Sequence, residues 1–464
     1  MKLKKRMVCA VMALIIAVLP LSGCKNNREA DNGKVKLVLS GWPTESNKAL
    51  LERNENLKKE FEKLYPHIEI VPDTWNYSFD TFLPKAASGQ LPTMFTVPFT
   101  EVDKLIESGY IADITEKMEE HRLSDNMKQE VLDLVTRKGK KYFLPTSTYV
   151  MGMYANKNLF EKAELLNEDN TVKFPQTFEE LVKTASIIKK KTGEAGFIMP
   201  TTNNLGGWHF TNIAWSYGVE FMKQEEGKWK ATFNTPECVE ALQLIKDMKW
   251  KYDILPASAL IDNNEMAKLF ATDRGAMYLA TPPQEHLSKT YSMDKKDIAI
   301  GKIPSGPKGR YALMGGALNA FNAKATDEEL EAAFLWCEFL GRGYELNEQN
   351  KKNMENSYQV YSDEGRLIGV HQYSIWKEGT ECIEFENSLI KKYTNIDPKD
   401  VKTFEEFDDI IIKAEEPVSC QQLYQILDSC VQAVLTDKNA DPAELIKKAS
   451  DDFQKNYLDK MDAE

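Results

Sequence analysis

The residues that could do chemistry are scattered along this chain. The five histidines, His67, His121, His209, His286 and His371, show no His-Glu-x-x-His spacing or other metal-ligand pattern, and no Gly-x-Ser-x-Gly nucleophile turn is present. Among 71 acidic residues no two stand out as an acid–base pair, because carboxylates belong on solvated surface by default. No metal, cofactor or catalytic activity is expected from such a set. What remains are aromatic rings near turns. Trp42 sits in Ser40-Gly41-Trp42-Pro43-Thr44-Glu45, directly after an apolar run, and Trp208 in Asn203-Asn204-Leu205-Gly206-Gly207-Trp208-His209, which reads as a loop. A ring offered from a turn can stack on a flat ligand face while nearby polar groups pair with its edge, so the pattern points to binding.

The chain opens with Lys2, Lys4, Lys5 and Arg6, followed by an apolar run over residues 7–19. That run is too short for a membrane-crossing helix of roughly 20 residues and reads as a signal peptide, 1–23. Leu21-Ser22-Gly23-Cys24 at its end resembles the lipobox of bacterial lipoproteins. The resemblance implies that the Cys24 sulfur carries lipid and holds the protein on the extracytoplasmic face of the cell membrane. Residues 24–34 are polar and aperiodic, the composition of a flexible tether. A net charge of −12 and a pI near 5.3 argue against nucleic acid, which needs clustered Lys and Arg. Past Cys24 the remaining cysteines, Cys238, Cys337, Cys382, Cys420 and Cys430, are odd in number and irregularly spaced, so they form no disulfide framework. Cys420 and Cys430 would lie about 15 Å apart on one helix.

The elements that must position the rings follow an α/β pattern. An apolar run at residues 35–39 is stopped by Ser40-Gly41. A helical stripe of Leu50, Leu51, Leu57, Phe61 and Leu64 is stopped by Pro66, and Ile68-Glu69-Ile70-Val71 begins a second strand. Thr177, Thr235 before Pro236, and Thr326 each announce a helix by its cap. About 430 residues exceed what one core supports, so two domains are expected. Residues 418–458 read as closing helices.

The order of several blocks is similar to that of the bacterial extracellular solute-binding proteins of family 1, the group that includes maltose-binding protein. The blocks are Leu57 to Ile70; Ala87-Ser88-Gly89-Gln90-Leu91-Pro92 with Met94-Phe95; Gly109-Tyr110-Ile111-Ala112-Asp113-Ile114; Tyr142-Phe143-Leu144-Pro145; Tyr154-Ala155-Asn156-Lys157-Asn158-Leu159-Phe160; Phe174 to Leu181; Phe270 to Met277; Ile303-Pro304-Ser305-Gly306-Pro307; and Gly315-Gly316-Ala317. Thr93 departs from the pattern, standing where the family commonly has Asp. The resemblance implies a two-lobed α/β fold, each lobe a sheet flanked by helices, with ligand held in the cleft by hinge closure. Crossings are expected near residues 148–154 and 314–319. Lobe one is then 35–150 plus about 318–360, and lobe two about 151–317 plus about 361–464.

The same resemblance implies a monomer that captures a small solute, foremost an oligosaccharide, and passes it to the permease subunits of an ABC transporter. Its alternatives are a peptide, polyamine or metal chelate, or a signal read by a membrane receptor. A sugar site needs aromatic platforms and polar partners for hydroxyls. The candidates are Trp42 and Glu45 at the first strand's end, Phe99 and Thr100 after the strand at residues 94–97, and Tyr149 at a crossing. Trp208 lies in the region where the family supplies aromatic contacts, Gln284 stands where relatives carry a Trp platform, and Trp376 is a late platform. Trp215, Trp250 and Trp336 are assigned to core.

Overall fold

The computed structural model describes residues 33–284 and 286–461. The signal peptide, Cys24 and most of the tether lie outside the described residues. From Val35 onward the chain forms one compact unit built on two main sheets.

The first sheet centres on the twelve-residue strand Arg310–Phe321. Along one edge its residues 317–321 run antiparallel to Met94–Pro98, which leads through Val35–Leu39 to Ile68–Pro72. Along the other edge lies Phe143–Val150, also antiparallel, and residues 310–314 run parallel to Ile410–Ala414. Val35–Leu39 and Ile68–Pro72 pair in parallel from Val35↔Ile68 to Leu39↔Pro72, and the alternate residues Leu37, Leu39, Ile68 and Ile70 turn inward, as the period-two geometry of a strand requires. They bury against Phe61 of helix Lys48–Leu64 and against Trp336 and Phe339 of helix Asp327–Phe339. Thr93 has a structural use: its hydroxyl accepts the Val38 N–H at 3.2 Å, tying the third strand to the first.

The second sheet is antiparallel, Met277–Ala280, Gly152–Asn156 and Ile298–Lys302, with Gly152–Asn156 central and wholly buried. Alternation sends Met153, Ala155, Met277, Leu279 and Ala299 into one core and Tyr154, Tyr278, Ala280, Ile298 and Ile300 into another on the opposite face. A sheet covered on both faces reads in sequence as a continuous apolar run.

The fold is thus two-lobed, and the paired strands Phe143–Val150 and Arg310–Phe321 run from one lobe's core to the other's. Phe143, Leu144, Leu318 and Ala320 bury with the first lobe, while Val150, Met151, Ala312, Leu313 and Met314 bury with the second. Only Met151 separates the last strand residue of the first sheet from Gly152 of the second.

The anticipated caps are present. Thr177, Thr235 and Thr326 each accept a backbone N–H three residues on, from Glu180, Cys238 and Glu329. The stretch after residue 360 is divided between the cores, unlike the expected single assignment. Leu367, Val370, Ile396 and Phe404 bury with the second sheet, but Ile375, Trp376, Cys382 and Ile383 bury with the first. The reason is local pairing: Lys128 donates its N–H to the Ile375 carbonyl and Lys377 to that of Asn126, which pins this segment to first-lobe helices. Trp215 and Trp336 are core as expected. Trp250 is not; it is 38% exposed, with its indole N–H on the Val434 carbonyl. The five described cysteines are buried and unpaired, Cys420 and Cys430 both on helix Cys420–Thr436.

Candidate functional site

Two acidic residues from opposite lobes flank the crossing strands. On the first lobe, Met94–Pro98 turns into the 3-10 turn Phe99–Glu101, all three residues of which are buried. The Glu101 carboxylate accepts the Tyr77 hydroxyl at 2.6 Å and the Thr100 hydroxyl at 3.4 Å. On the other side, Glu415 follows directly after strand Ile410–Ala414. It accepts the Trp208 indole N–H at 3.2 Å and the Tyr424 hydroxyl at 3.0 Å. Burial pushes the Glu415 carboxyl up to about 7, the negative charge of Glu101 adding to the shift. On the crossing strand Phe143–Val150 stands Tyr149, whose hydroxyl is raised by burial and then by the charge of Glu415.

Two glycines make room for the rings. A Cβ on Gly315 would overlap the Tyr149 ring, and one on Gly316 would stand 2.8 Å from Cζ of Phe99, so both rings rest on the backbone of the crossing strand.

Trp208 reaches the site from the first turn of helix Leu205–Tyr217, not from a loop. Gly206 and Gly207 serve the packing of two helices. A Cβ on Gly206 would come within 2.7 Å of the Asp428 carboxylate, and one on Gly207 would overlap the Tyr424 backbone. They let this helix approach Cys420–Thr436 closely. Asp428 then accepts the N–H groups of Asn204 at 2.8 Å and Gly207 at 2.7 Å, satisfying donors that a helix start leaves free. Trp208 is therefore positioned by a cap supplied from another helix.

Phe99, Thr100, Tyr149 and Trp208 come together here; the other candidates do not. Trp42 is core, 6% exposed, with its indole N–H on Glu55 at 3.0 Å. It closes over the strand ends because Gly41 and Trp42 donate their N–H groups to Trp75 and Asp73. Glu45 is exposed in a short 3-10 turn. Gln284 is held in its own loop, its N–H on the Tyr154 hydroxyl at 3.1 Å and its amide on the Thr281 carbonyl at 2.7 Å. Trp376 is 4% exposed, packed in the first core 6.2 Å from Tyr344. Sequence reasoning missed Tyr77, Glu101, Glu415 and Tyr424. One signal could have found Glu415: it stands just past a strand end, the rule that had singled out Trp42.

Rings with carboxylates and hydroxyls can stack a flat face and pair with its polar rim. Among the described residues no three His, Cys, Asp or Glu side chains are grouped to hold a metal ion, and no helix is long and apolar enough to cross a membrane.

Comparison with known proteins agrees with this architecture. A Brucella abortus relative, named only as a binding protein, is 24% identical over 307 residues, 64% of this chain and 71% of its own. Of the solved structures, UgpB of Mycobacterium tuberculosis, in complex with glycerophosphocholine, superposes with a TM-score of 0.67 at 15% identity, covering 92% of this chain and 99% of that one. Maltose-bound MalE3 of T. maritima gives 0.64 at 20%, covering 91% and 100%. The GacH receptor of Streptomyces glaucescens, solved unliganded and with acarbose, gives 0.64 at 18%, covering 92% and 99%. At these identities the likeness carries the fold. The model of one family, the bacterial extracellular solute-binding proteins, matches residues 48–342, and the chain belongs to that family.

Proposed function

We propose that this protein is the extracytoplasmic binding component of an ABC importer, anchored through lipid on Cys24, and that it captures a small oligosaccharide between its lobes without chemical change. The observation that carries the reading is the convergence of Tyr149, Trp208, Glu101 and Glu415 on the crossing strands, from elements of both lobes. Rings and acceptors from two bodies meet around a solute only when those bodies close, which couples occupancy to hinge position. The maltose and acarbose complexes of proteins with this fold support the choice of ligand class. Thermal shift against a carbohydrate panel tests it: a ligand of the native state raises the melting temperature with the logarithm of its concentration. A panel without effect counts against a sugar.

One observation favours a second reading. Two acidic residues beside aromatic rings also suit a polyamine or quaternary ammonium group. Spermidine and choline in the same screen separate the readings, since a cationic ligand binds less tightly as salt rises and a neutral sugar does not.

A further inference from the structure

The two donors that reach Glu415 fall on the same oxygen. Oε1 accepts both the Trp208 indole N–H at 3.2 Å and the Tyr424 hydroxyl at 3.0 Å. Oε2 takes no protein donor, and it is not among the side-chain atoms shut off from solvent. A carboxylate oxygen has two lone-pair sites, so those on Oε1 are filled and those on Oε2 are open. A proton on this group therefore belongs to Oε2.

The surroundings favour that proton. On the same segment Lys413 is paired with Glu416 at 3.0 Å and lies over the Trp215 ring, so it does not neutralise Glu415. On helix Leu205–Tyr217, His209 is buried with its ring nitrogens against the Leu205 and Leu279 carbonyls, and burial lowers its pKa. On helix Cys420–Thr436, burial holds Cys420 and Tyr424 neutral, and Asp428 is turned to the N–H groups of Asn204 and Gly207. Strand Phe143–Val150 brings Tyr149, also kept neutral by burial, and the turn Phe99–Glu101 brings only the negative charge of Glu101. A carboxylate stripped of most of its water, with two neutral donors and a like charge facing it, is stabilised by taking a proton.

We infer that Glu415 works as a neutral acid with its proton on Oε2, and that this O–H is the donor it offers to a ligand oxygen in the cleft. The inference rests on the cleft as the binding site and adds a selection that rings and acceptors alone do not make. A ligand with an acceptor at this position leaves the proton in place, whereas an ammonium group has only donors and must displace it to pair with the carboxylate. Capture of an acceptor is then linked to proton binding. Affinity is constant while Glu415 holds its proton and falls as pH rises past its titration, near 7.

NMR of the full mature chain, with its tryptophans isotopically labelled on nitrogen, reads the proton without any ligand, because the Trp208 indole N–H sits on Oε1. The signal lost in Trp208→Phe assigns the peak. Its shift should step with a midpoint near pH 7, and Glu415→Gln should abolish the step. Should that variant fail to fold, Glu101→Gln takes its place, since removing the like charge must move the midpoint down. A midpoint in the ordinary carboxyl range, about 4 to 5, overturns the inference, as does a step that survives Glu415→Gln or is unmoved by Glu101→Gln. Calorimetric titration with maltotriose and with spermidine, about one pH unit either side of the midpoint, reads the linkage. Maltotriose is expected to bind about tenfold more weakly on the alkaline side, taking up a proton there. Equal affinity on both sides overturns the donor role, as does binding of spermidine alone. If neither probe binds while the midpoint stands near 7, the result counts against the sugar reading of the cleft and supports the proton on Glu415.

Discussion

Tyr149 packs its ring against Gly315, its cross-strand partner, so closely that the glycine has no room for a Cβ. The site and the passage between lobes therefore share one contact. Gly315→Ala must push the tyrosine ring away or bend the crossing strand, and overpacking of this kind costs about 1–3 kcal/mol. Lower stability in urea together with weaker ligand binding is expected. An alanine variant matching wild type in both would show that the ring moves freely.

Trp208→Ala removes a half-buried ring and a donor to Glu415. Ligand affinity should fall by about 1–3 kcal/mol, roughly five- to a hundredfold in dissociation constant, with a smaller effect on apo stability. The positioning residue Asp428 gives a contrasting case. Asp428→Ala strips the cap from the helix that carries Trp208 and should cost about 1–2 kcal/mol of folding free energy as well as affinity. A melting curve and a titration on each variant separate the two effects.

The raised Glu415 carboxyl predicts how stability depends on pH. Its folded value, about 7, exceeds its ordinary 4.5, so between those limits the folded state keeps a proton that the unfolded state releases. The contribution is full below about pH 4.5 and is lost as pH rises through 7, on the order of 1–3 kcal/mol after allowing for solvent. Glu415→Gln should flatten this slope and make the protein relatively more stable at pH 8. Denaturation midpoints at several pH values check it, and an unchanged slope would move the titration to another group.

If Cys24 carries the proposed lipid, Cys24→Ala should release the protein to the medium or leave the precursor uncleaved, and wild type should partition with membranes. Acyl chains on Cys24 would contribute roughly 0.8 kcal/mol per buried methylene. Finding wild-type mature protein soluble, with no lipid on Cys24, would end the anchoring proposal.

Saturating ligand should shrink the radius of gyration in solution scattering, because lobes joined by two crossing strands come together around what they bind. An unaltered profile with ligand bound would count against a hinged cleft.

Local rules were enough for the strands at Val35–Leu39 and Ile68–Pro72, the helix stopped before Pro66, and the caps at Thr177, Thr235 and Thr326. Each depends on residues within a few positions of one another, so periodicity and capping chemistry determine them wherever the chain later packs. The ordered family blocks added the two-lobed architecture. The site is another matter. Trp208 meets Glu415 across 207 positions of sequence, and Tyr77 meets Glu101 across 24. Among 71 acidic residues nothing local marks Glu101, and only its place past a strand end marks Glu415, because a buried carboxylate and a solvated one are spelled alike. Trp42 shows the converse: its position after a strand suggested a ligand platform, but Glu55 from the neighbouring helix took its indole N–H and the core took its ring. The use of the glycines at 206 and 207 is not legible locally, since only the approach of a second helix, Cys420–Thr436, shows what their missing side chains make room for. Sequence determined the elements and their order; which rings and carboxylates face one another was decided by tertiary packing, because that depends on contacts between segments far apart in the chain.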